Sequence, residues 1–103
     1  MFICKDSSQR YLLAVYWEDK DLFIVIKEMT KNRELVEHAA LSFPSIQAQE
    51  LMDDLTAGPM DLHGVHIDTL TATAMAGRIA EGLQKVTRER PKHVSRIRPE
   101  FWG

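Results

Sequence analysis

Residues 11–29 read YLLAVYWEDKDLFIVIKEM, and this stretch decides the fold. Two apolar runs, 11–17 and 22–29, flank a polar connection of four residues, as in two antiparallel strands joined by a hairpin loop. In the second run the side chains of both faces are largely apolar, which indicates a central strand rather than an edge strand. The stretch therefore predicts the middle of an antiparallel sheet.

The segments on either side extend this sheet. TKNRE (30–34) predicts a second turn, and ELVEHAALSF (34–43) alternates as a third strand would. The face predicted for this strand consists of Leu35, Glu37, Ala39, Leu41 and Phe43. FICK (2–5) adds a short strand at the edge, so residues 1–43 predict a three- or four-stranded meander.

Two helices are predicted after the sheet. Pro44 cannot continue a ladder and Ser45 is a suitable N-cap, so a helix is expected over about 46–57, ended by Gly58-Pro59. Asp68 is the expected N-cap of a second helix that runs to Pro91. The buried face predicted for this second helix consists of Leu70, Met75, Ile79, Leu83 and Val86. A stripe of Ala72, Ala76 and Ala80 beside it is explained either by helix propensity or by a dimer seam.

The predicted fold class is α+β: an antiparallel three- or four-stranded β-meander (1–43) packed by two C-terminal helices (about 46–57 and 68–90) and followed by an extended basic tail. Residues 1–90 form a single domain, and residues 91–103 form the tail. Phe101 and Trp102 would either dock the tail on its own domain, which we favour, or insert into a partner.

Composition places the chain among ordinary soluble domains, with 45% hydrophobic and 27% charged residues. The single Cys4 cannot form an internal disulfide, which fits a reducing compartment. The N-terminus lacks the pattern of a signal peptide, and the apolar runs are too short to cross a bilayer. We therefore expect a cytoplasmic protein that uses no membrane and no cofactor.

Charge is strongly segregated along the chain. Residues 34–70 carry seven acids and no Lys or Arg, whereas residues 71–103 carry seven bases against three acids. Such a layout predicts complementary association within one chain or between two, and the competing interpretation is a solvated surface with chance clustering.

The stretch DLHGVHID (61–68) holds the only concentration of potential metal ligands. His63 and His66, with Asp61 or Asp68, could converge on a metal ion, and a metal-dependent enzyme at this loop is one alternative. HExxH and paired CxxC motifs are absent, so a polar surface loop is the favoured interpretation and no metal is predicted. Because no nucleophile motif or glycine-rich phosphate loop is present either, we expect no enzymatic activity.

Nucleic-acid binding is a second alternative. The basic C-terminal stripe could contact phosphates, and Trp102 could stack on a base. The negative net charge of −2 and the absence of a helix-turn-helix or RNA-recognition motif oppose it.

The favoured function is binding to a protein partner with an acidic surface, as a homodimeric regulator or inhibitor. The residues assigned to partner binding are Arg88, Arg90, Lys92, Arg96, Arg98, Phe101 and Trp102. A strand meander followed by two helices is also similar in outline to several small phage-encoded inhibitors, including some anti-CRISPR proteins. That resemblance is one of order and size, carried by no motif, and it transfers no residue's role.

Overall fold

The computed structural model describes the backbone of residues 1–97 and the side chains of residues 1–86. The elements are, in chain order, β1 (Phe2–Lys5), β2 (Tyr11–Glu18), β3 (Asp21–Met29), β4 (Leu35–Pro44), α1 (Ser45–Ala57), β5 (Met60–Leu62), β6 (Val65–Ile67) and α2 (Thr69–Ile97). The four-stranded sheet and the two helices confirm the predicted α+β fold.

The main sheet is a meander in which every neighbouring pair is antiparallel, in the order β1-β2-β3-β4. The β2–β3 connection is a two-residue turn in which Asp19 has φ 55°, a conformation that aspartate tolerates better than most residues. The β1–β2 connection is organised by the buried Asp6, whose carboxylate accepts hydrogen bonds from the Tyr11 N–H at 2.9 Å and the Ser8 hydroxyl at 2.5 Å. Both turns therefore fix the register locally.

A β-bulge in β4 changes the predicted face of that strand. Ile26 pairs with Ala39 and Lys27 pairs with Glu37, so His38 is the extra residue. Ala39 is buried and Leu41 and Phe43 pack on the core, but Leu35 and Glu37 are exposed. The prediction that all five share one face was wrong, because one inserted residue breaks a period of two.

The two faces of the sheet have different environments. The inward face meets both helices, and its buried side chains are Leu13, Val15, Leu22, Ile24, Ile26 and Ala39. On the outward face no side chain of β1 to β4 is buried within the described part of the chain, although Ala14, Tyr16, Phe23 and Val25 are half-buried by their neighbours. The helices thus cover one face and leave the other open.

Helix α1 packs on the core through Ala48, Leu51 and Leu55, as its spacing predicts. Ser45 is the first helical residue rather than the N-cap, since Pro44 occupies the cap position and no side chain caps it. Gly58 ends the helix with φ 144°, a backbone conformation suited to glycine.

Helix α2 contacts the core through Ala72, Met75, Ala76, Ile79, Leu83 and Val86. Leu70 was predicted on this face but is 82% exposed. It precedes Met75 by five residues, which at 3.6 residues per turn points it well away from the buried side. Ala72 and Ala76 belong to the hydrophobic core, whereas Ala80, the third residue of the alanine stripe, is half-buried.

Helix α2 also ends later than predicted. It reaches Ile97, whereas the sequence predicts an end at residue 90 and an extended tail from residue 91. Pro91 removes one backbone donor and costs a helix about 3 kcal/mol, which weakens a helix without compelling it to stop. Residues 90 and 91 therefore both lie within α2, and residues 98–103 lie outside the described residues.

Candidate functional site

The residues predicted to bind a partner fall mostly beyond the described side chains. The backbone places Arg88, Arg90, Lys92 and Arg96 on the last part of α2, and their side chains are not described. Arg98, Phe101 and Trp102 lie outside the described residues altogether. The structure leaves this assignment as a prediction.

The histidine-rich stretch is a β-hairpin rather than a loop. Strands β5 and β6 pair through a two-residue turn, with His63 at φ 51° and Gly64 at φ 84°. Two consecutive positive φ values give the strong turn twist that tight hairpins prefer. Leu62, Val65 and Ile67 are buried, so the hairpin contributes to the core while His63 and His66 face outward.

The hairpin histidines make separate local contacts. The His66 Nδ1 lies 3.2 Å from the Asp61 Oδ1, and the His38 Nε2 lies 3.0 Å from the carbonyl oxygen of His63. Asp68 accepts a hydrogen bond from the Thr71 N–H at 2.8 Å and is the N-cap of α2, as predicted. Among the residues whose side chains are described, no group of three His, Cys, Asp or Glu side chains is arranged to hold a metal ion.

Cys4 has the environment of a structural thiol. It lies half-buried on the inward side of β1, opposite Leu13. Burial, with a smaller contribution from the negative charge of Asp68, raises the pKa of its thiol to about 11. Since the thiolate is the nucleophilic form, the thiol is unreactive at neutral pH.

A groove of about 460 Å³ lies between the end of β2 and the middle of α2. This volume falls within the range of about 300–1,000 Å³ that is typical of ligand sites. Trp17 and Val86 line it together with charged side chains of both signs. No motif marks the groove, because its two walls are about sixty residues apart in the sequence.

The wall of the groove depends on close packing between Trp17 and Gly82. A methyl group placed on Gly82 would overlap the indole ring of Trp17, so the ring lies directly against the backbone of α2. The Trp17 Nε1 is buried without a hydrogen-bond partner among the described residues. An unpaired buried donor costs about 1–3 kcal/mol, which the close packing of the ring must offset.

One edge of β2 is open beside this groove. The last residue pair between β1 and β2 joins Phe2 to Val15, so Tyr16, Trp17 and Glu18 have a strand partner only on the β3 side within the described chain. An unpaired strand edge offers backbone donors and acceptors to an added strand. The groove therefore combines an aromatic wall with a short free strand edge.

Three cations and two carboxylates surround the groove. Arg78 pairs with Glu81 at 3.4 Å and lies over the ring of Phe2 at 5.6 Å. Lys20 and Lys85 form no ion pair with any residue whose side chain is described. As far as the described side chains extend, these two ammonium groups are available to an incoming acidic group.

Comparisons of the chain with protein-family models, with curated proteins and with solved structures found no significant match. Neither helix in the described part of the chain has the length and apolar character needed to cross a membrane.

Proposed function

We propose that the protein is a small cytoplasmic, non-enzymatic module that binds a protein partner and acts as its regulator or inhibitor, as a homodimer. The observation that supports this most directly is the open edge of β2 beside the groove. A partner segment in extended conformation would lie beside Tyr16, Trp17 and Glu18 and would hydrogen-bond to the backbone of Trp17, whose N–H and C=O point away from β3.

The charges around the groove indicate which side chains the partner segment would carry. Lys20 and Lys85 lie on its border without a carboxylate partner in the described chain, so acidic side chains in the partner segment would complement them. The predicted binding residues Arg88, Arg90, Lys92, Arg96 and Arg98 follow Lys85 in sequence and would extend the same basic contact, with Phe101 and Trp102 as apolar anchors.

A protein partner is favoured over nucleic acid by charge. Residues 1–86 carry eight Lys or Arg and thirteen Asp or Glu, a net charge of −5. Asp19 and Glu81 also lie in the groove lining and would repel a phosphate backbone. An acidic peptide needs only local cations, whereas a duplex would meet the whole negative surface.

The proposal is tested by site-specific photo-crosslinking of the full chain in its native host. A photoreactive amino acid replaces Lys20 in one variant and Leu70, which is exposed on α2 away from the groove, in the control. We expect a protein crosslink from position 20, mapped to an acid-rich segment, and none from position 70. A crosslink of equal yield from both positions would contradict the assignment of the groove.

The partner so identified is then titrated against purified variants. The double variant K20E and K85E should lose at least about tenfold in affinity, since two attractive contacts become repulsive. The double variant K31E and R33E changes net charge equally in the β3–β4 turn and should bind as the wild type does. Equal losses in both, or salt-dependent binding of generic single-stranded DNA or RNA in place of the protein, would reject the proposal.

A further inference from the structure

We infer that the open face of the sheet is the homodimer interface, with two sheets packed face to face and their strands antiparallel. The inference rests on the homodimer in the proposed function and identifies its surface and geometry. We define the open face by the side chains that point away from the helices at the centre of the main sheet: Ile3, Ala14, Tyr16, Phe23, Val25 and Ala40.

The open face is apolar and unoccupied by the described chain. Ile3 is 55% exposed, and Ala14, Tyr16, Phe23 and Val25 are half-buried only by lateral neighbours. The rings of Tyr16 and Phe23 stack with their centroids 5.5 Å apart. Because the sheet's other face is occupied by both helices, a second layer on this face would complete a sandwich.

The charges at the two ends of the open face argue for a second copy. Lys5 and Lys27 point outward at one end, with Glu37 beside Lys27 on β4. At the other end Glu18 and Asp21 form a directly opposed cross-strand pair of like charge. Such a pair destabilises an isolated sheet. A cation from another molecule at this end would relieve the repulsion.

A two-fold axis perpendicular to the strands brings opposite charges together at both ends of β3. Rotation about an axis above Ile24 places Lys27 of one copy over Asp21 of the other, since each lies three residues from Ile24 along β3. The same rotation places Phe23 over Val25 and Tyr16 over Ala14. Large side chains then meet smaller ones, as interdigitation between two sheets about 10 Å apart requires.

An axis along the strands would fit less well. It would place Tyr16 and Phe23 of one copy over the same aromatic pair of the other copy. It would also place Glu18 over Asp21, which brings like charges together. The antiparallel arrangement is therefore the one that shape and charge both select.

The size of the open face sets the expected affinity. Four strands about 4.8 Å apart and about six residues of 3.3 Å each give a footprint of roughly 400 Å² per copy. Specific interfaces usually bury more than about 1,000 Å² in total, and the roughly 800 Å² that two copies would bury together is below that value. The dimer should therefore dissociate on dilution rather than persist at all concentrations.

Sedimentation equilibrium of the full chain over a concentration series tests the interface. We expect the mass of two chains at high concentration and of one chain on dilution. Phe23→Ser should give a monomer at every concentration, while Leu70→Ser, an equally apolar-to-polar change on exposed α2, should dimerise as the wild type does. Circular dichroism confirms that each variant is folded. A wild-type monomer throughout, or a dimer unaffected by Phe23→Ser, would overturn the inference.

A charge-swap experiment tests the antiparallel arrangement. K27E and D21K should each weaken the homodimer, because each places two like charges in contact twice. An equimolar mixture of the two variants should form a heterodimer in which every contact is again between opposite charges. Lys27 and Asp21 of one chain are six residues apart, about 20 Å along the strand, so screening makes the direct interaction between these two residues within one chain negligible. Failure of the mixture to associate better than either variant would contradict this geometry.

Dimerisation through the open face can be tested separately from partner binding in the groove. Phe23→Ser should leave binding to the partner in the groove intact, because the groove lies at the open edge of β2 beside α2 and does not include Phe23. K20E with K85E should in turn leave the dimer intact. Loss of one activity without the other shows which of the two assignments has failed.

Discussion

The two faces of the main sheet are built from alternate residues of the same strands, yet they have different environments. Val15 on β2 is completely buried against the helices, whereas Val25 on β3 points to the opposite side and remains half-exposed. Trp17 packs against α2 and its neighbour Tyr16 stacks on Phe23 in the open. Both faces of the sheet are apolar, but the helices cover only one of them. Apolar character alone therefore does not predict which side chains of this sheet are buried.

Replacing one valine on each face with alanine should reveal the largest difference between the two faces in their contribution to the free energy of unfolding. Val15→Ala removes two buried methyl groups and leaves a cavity, so we expect a loss of about 2–3 kcal/mol in the free energy of unfolding. Val25→Ala should cost about 1 kcal/mol or less at concentrations where the protein is monomeric. Urea denaturation monitored by circular dichroism measures both. Equal losses would show that the open face is covered in the monomer.

Two glycine variants of α2 test the packing on the face of the sheet that the helices cover. Gly82→Ala forces a methyl group into the Trp17 ring, and overpacking of this kind costs about 1–3 kcal/mol. Gly77→Ala on the same helix has open space around it and should stabilise the protein by about 0.5–1 kcal/mol through helix propensity alone. Both substitutions gain the same propensity, so their difference isolates the contact. Two stabilised variants would show that the indole does not rest on α2.

The smallest expected effect concerns the start of the covering helix. The hydrogen bonds from Thr71 lower the pKa of Asp68 in the folded protein. A lowered folded pKa stabilises the fold above the pKa of the unfolded chain, near 4, and the contribution disappears as pH falls through the folded value. Asp68→Asn keeps a capping side chain without the charge.

The unfolding midpoint in urea should therefore be higher for the wild type than for Asp68→Asn at pH 7, and the gap should close in acid. Asp53→Asn on α1, where Asp53 accepts a hydrogen bond from Gln49, is a matched carboxylate control away from any helix start. A gap for Asp68→Asn that persists unchanged below pH 4 would contradict the role of the charge.

Much of the fold could be predicted from the sequence because its signals are local. Alternation over residues 11–29 indicates two paired strands, and the spacing of Ala48, Leu51 and Leu55 indicates one buried helical face. The predictions failed where a local signal was weak or misleading. A bulge at His38 shifts a strand by one residue without any glycine to mark it, and Pro91 lies within α2 although proline favours a helix end.

The candidate site was largely beyond prediction from sequence. The two walls of the groove come from β2 and α2, and nothing in either segment alone shows that Trp17 meets Gly82. The one available signal was Gly82 itself, since a glycine inside a helix often marks a close approach. The hairpin at 60–67 had a clearer signal, because Leu62, Val65 and Ile67 flank a turn with glycine, but the stretch was interpreted as a polar surface loop.

The sequence by itself determined the strands of the main sheet, their meander order, the two helices and the segregation of charge, because periodicity, turn residues and composition act over a few residues. Only the tertiary structure decided which apolar face of the sheet the helices cover, where β1 stops pairing with β2, and that Lys20 and Lys85 border one groove. These features depend on contacts between segments far apart in the chain. Such contacts are set by packing and register, which no short stretch of residues encodes.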